Sequence, residues 1–262
     1  MYMNIFFYIW TAIQIIAESF PISSSGHQLL VVKSFSVATY NFLFSHAVAD
    51  LLHIPTIAIV ITFFWQEIKK LFIEWNVKNY FYYSGLLLLV DSITAFFYFF
   101  VIPPITSTIC LLLGFTITAF LLYFSQHYTN RFAGFSYVTQ AIILGIVQSC
   151  ACIPGISRLA VTYCTALALG HRSAQSFMIA WAVVLPLLCA ATLKSVITVV
   201  NHPLRAQLLQ PHILLVIIIS SMIAWYGFVW FAHKANKQQL KGIALYMVLP
   251  ILYTCILIAK GK

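Results

Sequence analysis

Residues 14–27 read QIIAESFPISSSGH: a carboxylate, a proline, four serines and a glycine set inside an otherwise apolar stretch. A helix carrying Pro21, Ser23, Ser24, Ser25 and Gly26 at mid-depth in lipid would leave backbone groups unpaired, so such sequence belongs where protein lines a cavity. A second break, QSCACIPGISRLAVT at 148–162, has the same character. Segments 4–33 and 137–170 therefore read as re-entrant helix, loop, helix hairpins rather than as spans.

Around them the chain is built for lipid. Of its 262 residues, 62% are hydrophobic and 7% charged, a balance that leaves a soluble domain no hydrated surface. Six stretches, 43–66, 81–100, 105–125, 174–198, 212–232 and 242–259, approach the ~20 residues a helix needs to cross a bilayer. They do not alternate as barrel strands would. The fold class is thus all-α: a single polytopic membrane domain with six transmembrane helices and two re-entrant hairpins. The first apolar stretch has no basic leader and runs into polar residues, so it reads as mature sequence rather than a cleaved signal.

The net charge of +9 does not indicate nucleic acid, because the basic residues are scattered among loops. Cys110, Cys150, Cys152, Cys164, Cys189 and Cys255 lie in apolar surroundings, and Cys150 and Cys152 lack a second pair at zinc spacing. The two broken segments resemble each other, Ala12-Ile13 through Glu18, Pro21, Ser23 and Gly26 against Ala141-Ile142 through Gln148, Pro154, Gly155 and Ser157. One hairpin and three spans per half make an inverted repeat, about 1–125 and 126–262. Lys69, Lys70, Lys78, Arg131, Arg172, Lys234, Lys237 and Lys241 then fall on one side, and Lys33, Arg205, Lys260 and Lys262 on the other. The first side is expected to be cytoplasmic, with both termini outside.

Five acidic side chains exist in the whole chain, and Glu18 is one of those placed among apolar residues. An intramembrane carboxylate is a functional candidate, and Gln14, four residues earlier, shares its helix face. Ser23, Ser24, Ser25 and Gly26 precede a helix start, where backbone N–H groups attract an anion such as phosphate. His27 lies three residues after Ser24, in reach of a nucleophile and base pairing. In the second break Gly155 makes a turn, Ser157 precedes a restarted helix, and Thr162 follows Arg158 by one turn. Arg158 needs an anion and grips phosphate oxygens bidentately. Its counter-charge is expected to be Glu18, Asp50, a lipid phosphate or substrate. Asp50, near His46 and His53, either joins the site or caps a helix.

Gln14-x-x-x-Glu18, PISSSGH at 21–27 and PGISR-x-x-x-Thr at 154–162 resemble the two signature regions of the undecaprenyl-pyrophosphate phosphatases, the bacitracin-resistance family. The resemblance runs over nearly the whole chain. It implies removal of one phosphate from a C55 polyprenyl pyrophosphate, regenerating the monophosphate carrier for cell-wall precursors. The lipid and the membrane are the partners, nucleic acid is not, and a homodimer stays open. It further implies a site facing the periplasm of a bacterial inner membrane and a divalent cation, Mg²⁺ or Ca²⁺, at Glu18 and Gln14. By position, Glu18, Ser24, His27 and Arg158 are the expected catalytic residues; Gln14, Ser23, Ser25, Gly26, Gly155, Ser157 and Thr162 are expected to bind substrate. Leu159-Ala160 replaces the family's usual Ser-Gly, Pro55 a common Gly, and Gln14 a common Glu. A transporter or flippase on the same inverted-repeat site is the rival reading. Acid-phosphatase-like lipid phosphatases share a Ser-Gly-His string but need a His closer to Arg158 than His171.

Overall fold

The computed structural model describes residues 2–35, 42–73, 77–101, 107–128, 132, 134–200, 208 and 210–261, and these are helical with no strand among them. Arg131, Arg205 and Lys262 of the charge pattern lie outside the described residues, as do the side chains of His46 and Lys78.

Both expected breaks are helix–turn–helix elements. In the first, α1 (Tyr2–Glu18) ends where Pro21 approaches, and α2 (Ser24–Phe35) restarts after Ser23, whose φ of 67° no helix continues through. In the second, α8 (Tyr137–Ser149) tightens into a 3₁₀ turn at Cys150–Cys152 and turns at Gly155, with φ 93°. Helix α9 (Arg158–Ala168) then opens with Ser157 as N-cap, its hydroxyl accepting from the Ala160 N–H at 3.2 Å.

Between the hairpins run α3 (Phe42–Leu51), α4 (Ile54–Phe63), α5 (Trp65–Ile73), α6 (Val77–Phe96) with a π-helical extension Phe97–Val101, and α7 (Thr108–Tyr123). After the second hairpin come α10 (Ser173–Val200), α11 (Pro211–Asn236), α12 (Lys241–Tyr246) and α13 (Val248–Ala259). Among the described residues, four stretches are long and apolar enough to cross a membrane: Phe81–Val101, Ser173–Val200, Pro211–Asn236 and Lys241–Ala259. The two other expected spans take different forms. The 43–66 stretch is interrupted at Leu52-His53, where Pro55 in the first turn of α4 has no N–H to continue α3. Helix α7 has 16 residues, about 24 Å against a hydrocarbon core of about 30 Å.

Each hairpin is braced by a helix of the other half. Helix α1 packs on α11 and α8 on α6; α2 touches α13 and α9 touches α7, while α10 lies against α3 and α9. The core between them is aromatic, with Tyr163, Trp181, Phe115, Phe177, Phe228 and Phe231 fully buried. The Tyr163 hydroxyl donates to the Ala235 carbonyl at 2.7 Å, which satisfies a phenol that burial would otherwise strand. Leu193, Ile197, Ile218 and Tyr226 on the long helices point outward, as a lipid-facing surface requires. At one end of the bundle α7, α11 and α12 meet: Gln126 Nε2 donates to the Gln238 carbonyl at 2.8 Å, and Lys241 lies 5.5 Å over the Tyr123 ring. The loop after α9 is held to the start of α8 by His171 Nε2 and Gln140 Oε1, 2.8 Å apart.

The two hairpin tips touch through backbone. A Cβ at Gly26 would stand 2.9 Å from both Cα and N of Gly155 and 2.8 Å from the Phe115 ring. One at Gly155 would stand 2.6 Å from the Leu111 carbonyl and 2.8 Å from the Phe115 nitrogen, in a conformation that already favours glycine. Gly26→Ala and Gly155→Ala are each expected to cost about 1–3 kcal/mol and lower the thermal unfolding midpoint in detergent. Gly85→Ala, with nothing within 4 Å of its added methyl, is expected to leave the midpoint unchanged or raise it.

Candidate functional site

Glu18 is the last residue of α1, and the helix that carries it presents Gln14 on the same face. Gln14 Nε2 donates to Glu18 Oε2 at 3.3 Å. The turn brings α2 back so that the Ser24 hydroxyl donates to the same oxygen. From the break between α3 and α4, His53 sets its Nε2 3.5 Å from that oxygen as well. Two hydrogen bonds and the His53 ring nitrogen thus converge on Oε2, while Oε1 has no hydrogen bond among the described residues. The side chain of Glu18 is 13% exposed, so it is sheltered but reachable.

Ser23 joins the two hairpins. Its Oγ accepts from the Gly155 N–H at 3.2 Å and from the Gly26 N–H at 3.3 Å, and lies 3.4 Å from the Ser25 hydroxyl. On the other side of the second turn Thr118 of α7 donates to the Gly155 carbonyl at 2.8 Å and accepts from the Ser157 N–H at 2.9 Å. The starts of α2 and α9 are thereby fixed against each other, and the positive ends of both helices converge where Gly26 meets Gly155.

Arg158 opens α9 at that point. Among the described residues it forms no ion pair; its charge acts at longer range on Glu18, on Asp91 of α6 and on Cys152. The expected counter-charges are thus revised. Neither Glu18 nor Asp91 of α6 pairs with it directly, and Asp50 is committed elsewhere. Asp50 accepts from the Ser195 hydroxyl at 3.1 Å and, through its carbonyl, from Thr192 at 3.0 Å, which ties α3 to α10. Asp91 in turn accepts from Gln148 Nε2 at 3.4 Å, and that nitrogen also lies 3.2 Å from Thr94 Oγ1.

Two expected partners are arranged differently from the spacing argument. His27 does not hydrogen-bond to Ser24. Its Nδ1 lies 2.8 Å from the Ser23 carbonyl and so carries the proton, which leaves Nε2 to accept from the Tyr246 hydroxyl at 3.1 Å. The His27 and Tyr246 rings are stacked, 5.9 Å between centroids, and Phe115 stands edge-on at 5.2 Å. Thr162 is fully buried and turns its hydroxyl back onto its own helix, at 2.8 Å from the Arg158 carbonyl and 3.3 Å from that of Leu159. Ser24, Ser25 and Arg158 keep partial or full exposure.

The Gln14 side-chain oxygen is buried without a partner, and Glu18 Oε1 is uncommitted. Two hard oxygen donors suit Mg²⁺ or Ca²⁺. No group of three His, Cys, Asp or Glu gathers among the described residues, so protein alone would fill only part of such an ion's shell.

Tyr246, Thr118 and Asp91 are neighbours that residue spacing missed, whereas His53, expected beside Asp50, is found at Glu18. A lone imidazole directly before Ile-Pro in an apolar run was a usable signal for His53. Nothing local marks Tyr246, which meets His27 across 219 positions.

Taken together, these features define the class: a multi-pass helical membrane protein in which two broken hairpins meet, one carrying a buried carboxylate and the other an arginine at a helix start. The model of the bacitracin resistance protein BacA matches residues 7–251, and the chain belongs to that family. It is 24% identical to the undecaprenyl-diphosphatase of Bacteroides thetaiotaomicron over 243 residues, covering 89% of this chain and 91% of that protein. Similarity to undecaprenyl-diphosphatase 1 of Bacillus cereus is 28% identity over 116 residues, 44% of this chain and 43% of the relative. The undecaprenyl-diphosphatase of Parabacteroides distasonis is 26% identical over 197 residues, 72% and 73% of the two chains.

Because Ser23 Oγ is the acceptor for two buried N–H groups, Ser23→Ala is expected to cost about 1–3 kcal/mol of stability. Ser25→Ala, at an exposed position, is expected to stay within about 0.5 kcal/mol. Chemical unfolding in detergent compares the two.

Proposed function

We propose that this chain hydrolyses undecaprenyl pyrophosphate to undecaprenyl phosphate and inorganic phosphate, recycling the carrier lipid of cell-wall synthesis. Membership of the BacA family and three relatives named undecaprenyl-diphosphatase support the reaction. The observation that carries it is the Gly26–Gly155 contact, which brings the hairpin of Glu18 and Ser24 against the hairpin that carries Arg158. Phosphoryl transfer asks chiefly for positioning and for charge stabilisation, and the site offers both.

Arg158 and the N–H groups at the starts of α2 and α9 hold the diphosphate. Ser24 is the nucleophile: its oxygen bonds the terminal phosphorus, the bond to the bridging oxygen breaks, and undecaprenyl phosphate leaves. The Ser24 proton passes to Glu18, which already accepts its hydrogen bond. Water then cleaves the phosphoserine. His27 is the less suited base, since its bare nitrogen is covered by Tyr246. It steadies the first turn through the Ser23 carbonyl. Gln14 and Glu18 would hold Mg²⁺ or Ca²⁺ together with phosphate oxygens; when bound, the ion supplies charge neutralisation between the two phosphates.

In this reading the halves are inverted repeats, supported by the reciprocal bracing of α1 by α11 and α8 by α6. The site opens to the periplasmic face of a bacterial inner membrane, supported by the bias of Lys and Arg in the loops. The reaction as drawn needs one copy of the chain. A transporter would not need a hydroxyl hydrogen-bonded to a carboxylate beside an arginine.

Purified protein in detergent is expected to release inorganic phosphate from undecaprenyl pyrophosphate, and a chelator to suppress the release. Arg158→Ala, Glu18→Ala and Ser24→Ala are each expected to lower kcat by at least about 100-fold while remaining folded. Full phosphate release by Arg158→Ala would refute the assignment. Arg158→Lys is expected to recover only a small part of the rate, because a point charge does not reproduce the bidentate grip.

A further inference from the structure

We infer that His53 is a positioning residue of the reaction: its Nε2–H fixes the Glu18 carboxylate so that one oxygen receives the Ser24 proton and the other stays uncommitted. This rests on the phosphatase reading and names a residue that neither signature region contains.

Three groups approach Glu18 Oε2, and they are not equivalent. Gln14 is on the same helix one turn earlier and moves with Glu18. Ser24 loses its proton during the reaction and cannot serve as the fixed reference. Among the described residues, His53 alone contacts Glu18 from outside the first hairpin.

Its own frame is well held. The His53 N–H donates to the Asp50 carbonyl at 3.2 Å, its carbonyl accepts from Ile57 at 2.9 Å, and Asp50 is anchored to α10 through Ser195 and Thr192. The break between α3 and α4 therefore has a role: it stops the helix where the imidazole can turn toward the end of α1.

The ring's remaining nitrogen sharpens the assignment. Facing a carboxylate, Nε2 carries the proton, which leaves Nδ1 a bare acceptor. That atom is buried with no hydrogen-bond partner among the described residues, in a residue only 8% exposed. An unpaired buried nitrogen is a standing cost, retained where the other nitrogen has a task. Thr11 and Gln14 on α1, and Thr56 one turn after His53, also keep buried side-chain oxygens without partners. The 3.5 Å separation is long for a hydrogen bond, as catalytic contacts often are before substrate tightens them.

The test separates the two nitrogens. A Gln amide places its N–H₂ near the position of Nε2, and an Asn amide stops near that of Nδ1. His53→Gln, His53→Asn and His53→Ala are compared in the full chain in detergent, by steady-state phosphate release from undecaprenyl pyrophosphate and by thermal unfolding. His53→Gln is expected to keep kcat within about threefold, while Asn and Ala lower it about 10–100-fold with KM within about twofold. The Gln and Asn variants are expected to melt alike; if one melts lower, kcat is compared at a temperature where both are folded. Equal rates for Gln and Asn, whether high or low, overturn the positioning role while leaving the phosphatase reading intact. An unsubstituted protein that releases no phosphate overturns both. A thermal double-mutant cycle of His53→Ala with Glu18→Gln, expected to be non-additive, tests the contact apart from turnover, and additivity would overturn it.

Discussion

Backbone meets backbone where Gly26 of the first hairpin lies against Gly155 of the second, and no side chain larger than hydrogen fits between them. That approach keeps the starts of α2 and α9 within one phosphate's reach of each other. It needs its own hydrogen bonds, because two non-helical turns at membrane depth expose N–H and C=O groups that lipid cannot satisfy. Ser23 accepts from both glycine N–H groups, and Thr118 takes the Gly155 carbonyl and the Ser157 N–H. The serines and threonine of this region therefore serve structure first. Ser24 instead turns its hydroxyl to Glu18.

Charge is scarce here, which makes each charged group legible. Glu18 is surrounded by donors on one oxygen only, and Arg158 makes no ion pair among the described residues. A guanidinium beside two helix starts and near a carboxylate with a spare oxygen is an incomplete electrostatic arrangement. A diphosphate with a divalent cation would complete it. Asp91, balanced by Gln148, adds a second negative charge at longer range. Arg158 is therefore balanced at a distance by acids of both α1 and α6, without being neutralised by either.

The long helices do different work. Their outward faces are apolar and exposed, and their inward faces supply the aromatic wall of Phe177, Trp181, Phe228 and Phe231. The reciprocal bracing, α11 behind α1 and α6 behind α8, lets each half support the broken helix of the other. Neither hairpin could hold its unpaired turn alone, for the same reason that a re-entrant loop does not face lipid.

Composition and breaks were enough to determine the class of fold. Apolar runs without alternation mean helices in lipid, and Pro, Gly and Ser inside such a run mean a hairpin wrapped in protein. The rarity of acids likewise singled out Glu18, and the i to i+4 spacing placed Gln14 on its face, because both follow from local helix geometry. Long-range partnerships were invisible to that logic. His53 and Glu18 lie 35 positions apart in the chain, Tyr246 and His27 are separated by 219, and Asp91 acts on Arg158 from another helix. The same limit explains why His27 was expected beside Ser24: three residues of separation allow the contact, but only packing decides which way each side chain turns. Here the Ser23 carbonyl and the Tyr246 hydroxyl claim the imidazole, and Glu18 claims the serine. Residue types and spacing determine which groups are present at a broken helix; the tertiary fold decides which of them meet, because those contacts are made across helices that no local periodicity links.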